Sequence, residues 1–388
     1  MAATTNAQVF ALLLSPMAQD FGISVARLAG LRTIEEVVAI VTGIALAPFI
    51  DRTTRKRLLL SGLALMAAAA AIAVAATSPW HLVGYFAVDG ISKILLFSTL
   101  LAMPGDLASG RRLDRALGFV IGSFALSGFT IVPLVGYIAA RFSWREGYVV
   151  AVVTALISFL FVLAVIPAIR PGDRPPASPL RHLGLIVRFP GLATALTGAL
   201  LRFMMFSSVL TFSGAFLINE HQVSVSRAGV YFSLGAASFL IASILSGFLL
   251  QFVGTTRALV HGGMLAATCV LVAFASGVPL SLAGCALLVT VALMGIHENA
   301  STGLLLRLSR GQRGAAMSLN ELCAAAGALL GIGFGAVALR QFGYGGIGAL
   351  LGLVGVLAAA VTMRAIRSGD SVDRPETSGG LTVTAPRT

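Results

Sequence analysis

Charge is what this chain has least of. Asp, Glu, Lys and Arg make up 11% of its 388 residues, against about 25% in ordinary soluble domains. Lysine occurs only at Lys56 and Lys93. A chain this poor in charge cannot keep a globular surface in water, so a soluble domain is excluded. Cysteine is also scarce, and Cys269, Cys285 and Cys323 all fall in apolar stretches. An odd, scattered set of three supports neither a disulfide framework nor a four-cysteine metal site, so no metal or other cofactor is expected. No nucleophile, base and orienting group stand in a recognisable pattern, so an enzyme is not expected. His297-Glu298 opens like a zinc-protease helix, but Ser301 stands where the second histidine belongs. The net charge of +12 raises nucleic acid as a partner. The basic residues, however, lie in short patches between apolar stretches, with no pattern for base stacking, and that partner is not expected.

What the chain has in quantity is apolar length. Its mean hydropathy is +0.94, and 388 residues suffice for about twelve crossings of roughly 20 to 25 residues joined by short loops. Crossings are placed near 5–18, 29–50, 58–77, 81–105, 116–139, 147–168, 191–218, 228–252, 258–276, 280–306, 314–338 and 345–366. The first has about fourteen largely apolar residues before Gln19 and Asp20, which points to a helix that starts late or to an incomplete N-terminus; the stretch lacks the basic region of a signal peptide.

The basic residues order these crossings. Of 27, nineteen lie in the turns after crossings two, four, six, eight and ten or in the tail, five lie on the other side, and Arg32, Lys93 and Arg202 lie within crossings. The positive-inside rule then predicts that both termini are cytoplasmic. The segment Ser24-Val25-Ala26-Arg27 is echoed by Ser224-Val225-Ser226-Arg227, each opening an outer-side helix, and a stretch holding Pro171, Pro175, Pro176 and Pro179 separates six crossings from six. The predicted fold is an all-α membrane protein of two six-helix bundles, 1–168 and 191–366, with a cytoplasmic linker at 169–190 and a disordered cytoplasmic tail at 367–388.

The turn after crossing two reads Ala47-Pro48-Phe49-Ile50-Asp51-Arg52-Thr53-Thr54-Arg55-Lys56-Arg57. It resembles the loop signature of the major facilitator superfamily, matched by Asp51, Arg52, Lys56 and Arg57, with Ala47 and Thr54 in place of its two glycines. Gly128, Pro133 and Gly136 in crossing five partly match the pattern of that family's proton antiporters, while Val132 and Tyr137 depart from it. Trp144 to Tyr148 and Arg313 to Ser318 also look like the family. The resemblance implies a cytoplasmic gate in which Asp51, with Arg52, Arg55, Lys56 and Arg57, meets the start of crossing eleven near Arg313 and Gly314. A helix N-terminus stabilises a carboxylate through its unpaired N–H groups. Gly327, Gly331 and Gly335, four apart in crossing eleven, read as a smooth packing face.

An ionisable group near the bilayer centre costs roughly 2.5 to 3.5 kcal/mol on insertion scales, so several of them in one chain point to a function. Asp89 and Lys93 fall in crossing four, Arg202 in crossing seven, and His297 with Glu298 in crossing ten. The resemblance implies that crossings one, four, seven and ten line a central cavity. Asp89 and Lys93, four apart, share a face and can pair, and with Arg202 they are the expected substrate-binding charges, for an anionic or zwitterionic solute. His297, Glu298 and Glu321 are the expected carriers of a coupling proton, although adjacent residues point about 100° apart and only one of His297 and Glu298 can face the cavity squarely. Arg32 and Glu36 can pair as a structural contact or an outer gate.

The combined expectation is a monomeric secondary active transporter of the bacterial inner membrane. Its partners are a small organic solute, protons and the lipid bilayer, with alternating access, proton coupling and export. Uptake of an organic anion or zwitterion by proton coupling or anion exchange is the alternative, followed by a membrane sensor that does not transport.

Overall fold

The structure is a computed structural model that describes residues 2–50, 53–107, 111–167, 190–308 and 313–370. Among these residues the chain is helical throughout its ordered elements. In order they are α1 (Thr5–Asp20), α2 (Val25–Leu31), α3 (Thr33–Ile50), α4 (Arg55–Val74), α5 (Pro79–Leu107), α6 (Arg111–Arg141), α7 (Trp144–Val165), α8 (Pro190–Asn219), α9 (Val225–Val253), α10 (Thr255–Ala273), α11 (Leu280–Leu308) and α12 (Arg313–Asp370). By length and composition nine described helices can cross a membrane. The longest, within α12, crosses twice because the chain folds back at Gly343 (φ 66°, ψ −163°), a conformation open in practice only to glycine. With α1, and with α2 and α3 forming one crossing between them, the total among the described residues is twelve.

Local chemistry explains the two ends of the repeat seen in sequence. Ser24 and Ser224 take nearly the same extended backbone angles (φ −69°, ψ 147° and φ −63°, ψ 151°). Each hydroxyl accepts the amide N–H three residues on, Arg27 at 3.2 Å and Arg227 at 3.4 Å. Both are N-caps opening equivalent helices of the two halves. The second crossing is interrupted at Arg32, whose amide bonds Ala29 O at 3.1 Å while the Thr33 hydroxyl donates to Gly30 O at 2.7 Å. That side chain competes with the helical ladder and tightens the turn.

The bundle has a proximal face, where α1 starts and α12 ends, and an opposite, distal face. Helix α1 is enclosed on every side, with Val9 through Leu14 wholly buried. Leu156, Ile157, Leu160 and Phe161 of α7 and Ile241, Ile244, Phe248 and Phe252 of α9 stand outward, as suits faces turned to lipid. The halves meet as α1 on α8, α6 on α9, and α2 with α3 on α12. Small residues set these approaches: a Cβ on Gly214 would stand 2.6 Å from Ala11 O, one on Gly136 3.0 Å from Val225 O, one on Gly128 2.9 Å from Ala236 Cβ, and one on Gly30 3.9 Å from Ala336 Cβ. All of these contacts lie between the middle and the distal ends of their helices.

Candidate functional site

Charged side chains in the amino-terminal half converge on the point where α5 passes α3. Lys93 Nζ reaches Glu35 Oε1 at 3.2 Å and Glu36 Oε1 at 2.5 Å, with both carboxylates only 1% exposed. Arg32 Nε reaches Glu35 Oε2 at 3.3 Å. Two expected pairs are therefore corrected. Lys93 binds the two glutamates rather than Asp89, because acids arriving from a neighbouring helix satisfy the ammonium more fully than one a turn away. Arg32 binds Glu35 rather than Glu36, because the tightened turn at Thr33 brings the i+3 residue round and leaves Glu36 facing Lys93. Asp89 instead accepts the Asn6 side-chain N–H at 2.6 Å. The Tyr85 hydroxyl donates to Asn6 O at 3.4 Å, and Tyr148 to Tyr85 at 3.4 Å. A cavity of about 50 Å³ opens beside Glu35, Asp89 and Lys93.

Arg32 does more than pair. Its Nη1 donates to Thr211 Oγ1 of α8 at 2.7 Å, and its guanidinium lies 5.8 Å from the centre of the Phe10 ring. This bond joins the charge cluster of one half to the other half.

In the carboxy-terminal half, Arg202 of α8 donates to Thr362 Oγ1 at 3.2 Å and also to Ser301 Oγ. Glu298 lies within its electrostatic reach. His297 turns away: it is 2% exposed, and its Nε2 lies 3.1 Å from Ala258 O of α10. Of the adjacent pair, the histidine packs on α10, which corrects its expected place at the cavity. Asn299 also turns inward to its own half, donating to Ser243 and Ser246 of α9.

Glu321 connects the two clusters. It is exposed, yet Glu298 of α11 and Lys93 of α5 both lie within its electrostatic reach. A solvent-accessible acid thus stands near a carboxyl group of its own half and an ammonium group of the other. Counting about 1.5 Å per residue from the nearer helix ends, Glu321, Glu298, Arg202 and Lys93 sit roughly 12–21 Å deep, in the middle of the bundle.

Other expected residues have different surroundings. Asp51 and Arg52 lie outside the described residues, as does the side chain of Arg313. Lys56 Nζ donates to Leu163 O at 2.7 Å, near the C-terminal end of α7, where a cation is favoured. Arg55 is buried and Arg57 exposed. Gly128, Pro133 and Gly136 face α9, with Gly229 against Pro133 and Gly136. Gly327, Gly331 and Gly335 abut Leu200, Met204 and Ser208 of α8, the packing face read from their spacing. Sequence reading did not single out Asn6, Tyr85, Thr211 or Thr362, and noted Ser301 only as the absence of a histidine. Their signal was polarity within apolar crossings, weaker than charge.

Residues 1–309 match the family model of the Major Facilitator Superfamily. A purine ribonucleoside efflux pump, NepI, of Salmonella typhimurium is 24% identical over 242 residues, 60% of this chain and 58% of that protein, so the match spans a little over half of the relative's length. Among solved structures, a bacterial homologue of the human lysosomal transporter Spinster, inward-facing and unoccupied, superposes with a TM-score of 0.76 at 16% identity, covering 95% of this chain and 94% of that one. A peptide transporter, POT, gives 0.75 at 14% identity, covering 96% and 93%. The human organic anion transporter MFSD10 gives 0.67 at 17% identity, covering 93% and 97%.

Proposed function

The chain belongs to the major facilitator superfamily, and on that premise we propose that it is a proton-coupled carrier that exports a small organic solute across the inner membrane, with both termini cytoplasmic. What supports the reading is that Lys93, Arg202, Glu298 and Glu321 come from four helices of both halves at mid-depth, with Glu321 within electrostatic reach of Lys93 and Glu298 and Arg202 within reach of Glu298. Cations and carboxyl groups together suit a solute that bears a carboxylate or offers both donors and acceptors. Lys93 and Arg202 bind it, Glu298 and Glu321 exchange the proton, and the turn at Asp51 with its basic neighbours closes the cytoplasmic side. Export draws support from the distant efflux pump, whose purine ribonucleosides are the first compounds to test. Separation of the two halves first on one side and then on the other is the transport step.

The test uses purified protein in liposomes loaded with labelled purine ribonucleosides or organic anions, with a pH difference imposed across the membrane. Movement of a solute against its gradient, abolished by collapsing the pH difference and weakened at least tenfold by Lys93→Ala or Arg202→Ala, is expected. Downhill flux indifferent to the pH difference would make the protein a channel or uniporter and would sink the reading.

A further inference from the structure

The charge cluster of the amino-terminal half does not balance. Three carboxyl groups, Glu35, Glu36 and Asp89, are packed with two cations, Arg32 and Lys93, and all three acids and Arg32 are at most 6% exposed. Both cations are bonded to the glutamates: Glu35 takes both and Glu36 takes Lys93. Asp89 accepts only the neutral amide of Asn6. Among the described residues the other elements against it bring no further cation to it: α4 brings Met66, α7 brings Tyr148 through Tyr85, and Glu321 of α12 adds another acid within reach of Lys93. An enclosed carboxylate without a cation is far costlier than a neutral carboxylic acid.

We propose that this cluster stores one proton on Asp89, and that Arg32 transmits its presence to the other half through Thr211; the proposal rests on the proton-coupled reading above and adds a proton site in the amino-terminal half to Glu298 and Glu321. With Asp89 protonated, two anions face two cations and the cluster is neutral. Loss of the proton leaves an excess negative charge that draws Arg32 and Lys93 toward Asp89. Arg32 cannot move without lengthening its 2.7 Å bond to Thr211, which joins the halves on the side where they touch. Deprotonation therefore loosens the distal contact, and protonation restores it. The cavity of about 50 Å³ beside Asp89 and Lys93 is large enough for a water molecule to relay the proton.

Parity gives the test its force. In an infrared titration of the purified protein, the wild type shows an Asp89 carboxylic-acid C=O band, separate from those of Glu298 and Glu321, that vanishes as pH rises. Asp89→Asn abolishes it. Glu36→Gln also abolishes it, because two acids then face two cations and Asp89 ionises. Glu298→Gln and Glu321→Gln retain it. A band that survives in Asp89→Asn, or that persists in Glu36→Gln, overturns the proposal; where Asp89→Asn does not fold, Glu36→Gln decides alone. For the transmission step, Thr211→Val removes the pH dependence of thiol labelling at Ser24→Cys on the distal face, and unchanged pH dependence overturns that step. The liposome assay separates the two readings: pH-driven transport together with a band insensitive to Asp89→Asn sinks the site but keeps the carrier. The expected band pattern without pH-driven transport sinks the coupling.

Discussion

At the scale of single residues, side-chain direction decides role more than residue type does. Lys93 neutralises two glutamates at once, so removing it strands the buried Glu36 carboxylate and leaves Glu35 with Arg32 alone. Breaking one partner out of a buried ion pair costs about 3–5 kcal/mol. Lys93→Met is therefore expected to lower the thermal unfolding midpoint in detergent sharply, while adding Glu36→Gln to it recovers part of the loss. A double variant as unstable as the sum of its single changes would show that the 2.5 Å contact carries no coupling. His297 supplies the contrast. It is the side chain whose chemistry most suits proton exchange near neutral pH, yet its ring lies buried against Ala258 O of α10. His297→Gln is expected to leave the pH profile of transport unchanged, and a displaced profile would return the histidine to the coupling machinery.

At the scale of helices, glycine spacing sets how closely the crossings approach. A Cβ on Gly327 would meet Leu200 O at 2.5 Å, whereas one on Gly247 meets nothing within 4 Å. Overpacking a close seam costs about 1–3 kcal/mol, so Gly327→Leu should lower the melting temperature, while Gly247→Ala should be neutral or raise it through better helix propensity. Equal effects would mean that the seam between α12 and α8 yields freely. Much at this scale was legible in sequence. The paired serines Ser24 and Ser224 mark helix starts because an N-cap is a local matter of one hydroxyl and an amide three residues on. The glycines of α12 reveal a packing face because helical period alone aligns them. Pairing of the intramembrane charges was not legible, because spacing along α5 puts Asp89 beside Lys93 but says nothing of the angle at which α3 presents Glu35 and Glu36. The break at Arg32, produced by one threonine hydroxyl, was hidden for the same reason: its effect depends on which carbonyl it finds.

At the scale of the whole molecule, a carrier differs from a rigid bundle in that its two halves must separate on whichever side they now touch. Here the joining contacts gather at the distal side, among them Gly30 against Ala336. The Cβ position at Gly30 lies 3.9 Å from Ala336 Cβ, inside the range of about 3.5–4.5 Å that a disulfide requires. With Cys269, Cys285 and Cys323 replaced by serine, Gly30→Cys with Ala336→Cys should therefore crosslink the halves under mild oxidant without moving the backbone far. The crosslinked protein is expected to bind solute from the proximal side yet to transport none, and a reductant should restore transport fully. Each single variant should be indifferent to oxidant. Because the bond spans the contact that must open for solute to reach the distal face, full transport by the oxidised double variant would mean that solute crosses without separating these helices, and alternation between the halves would have to be abandoned.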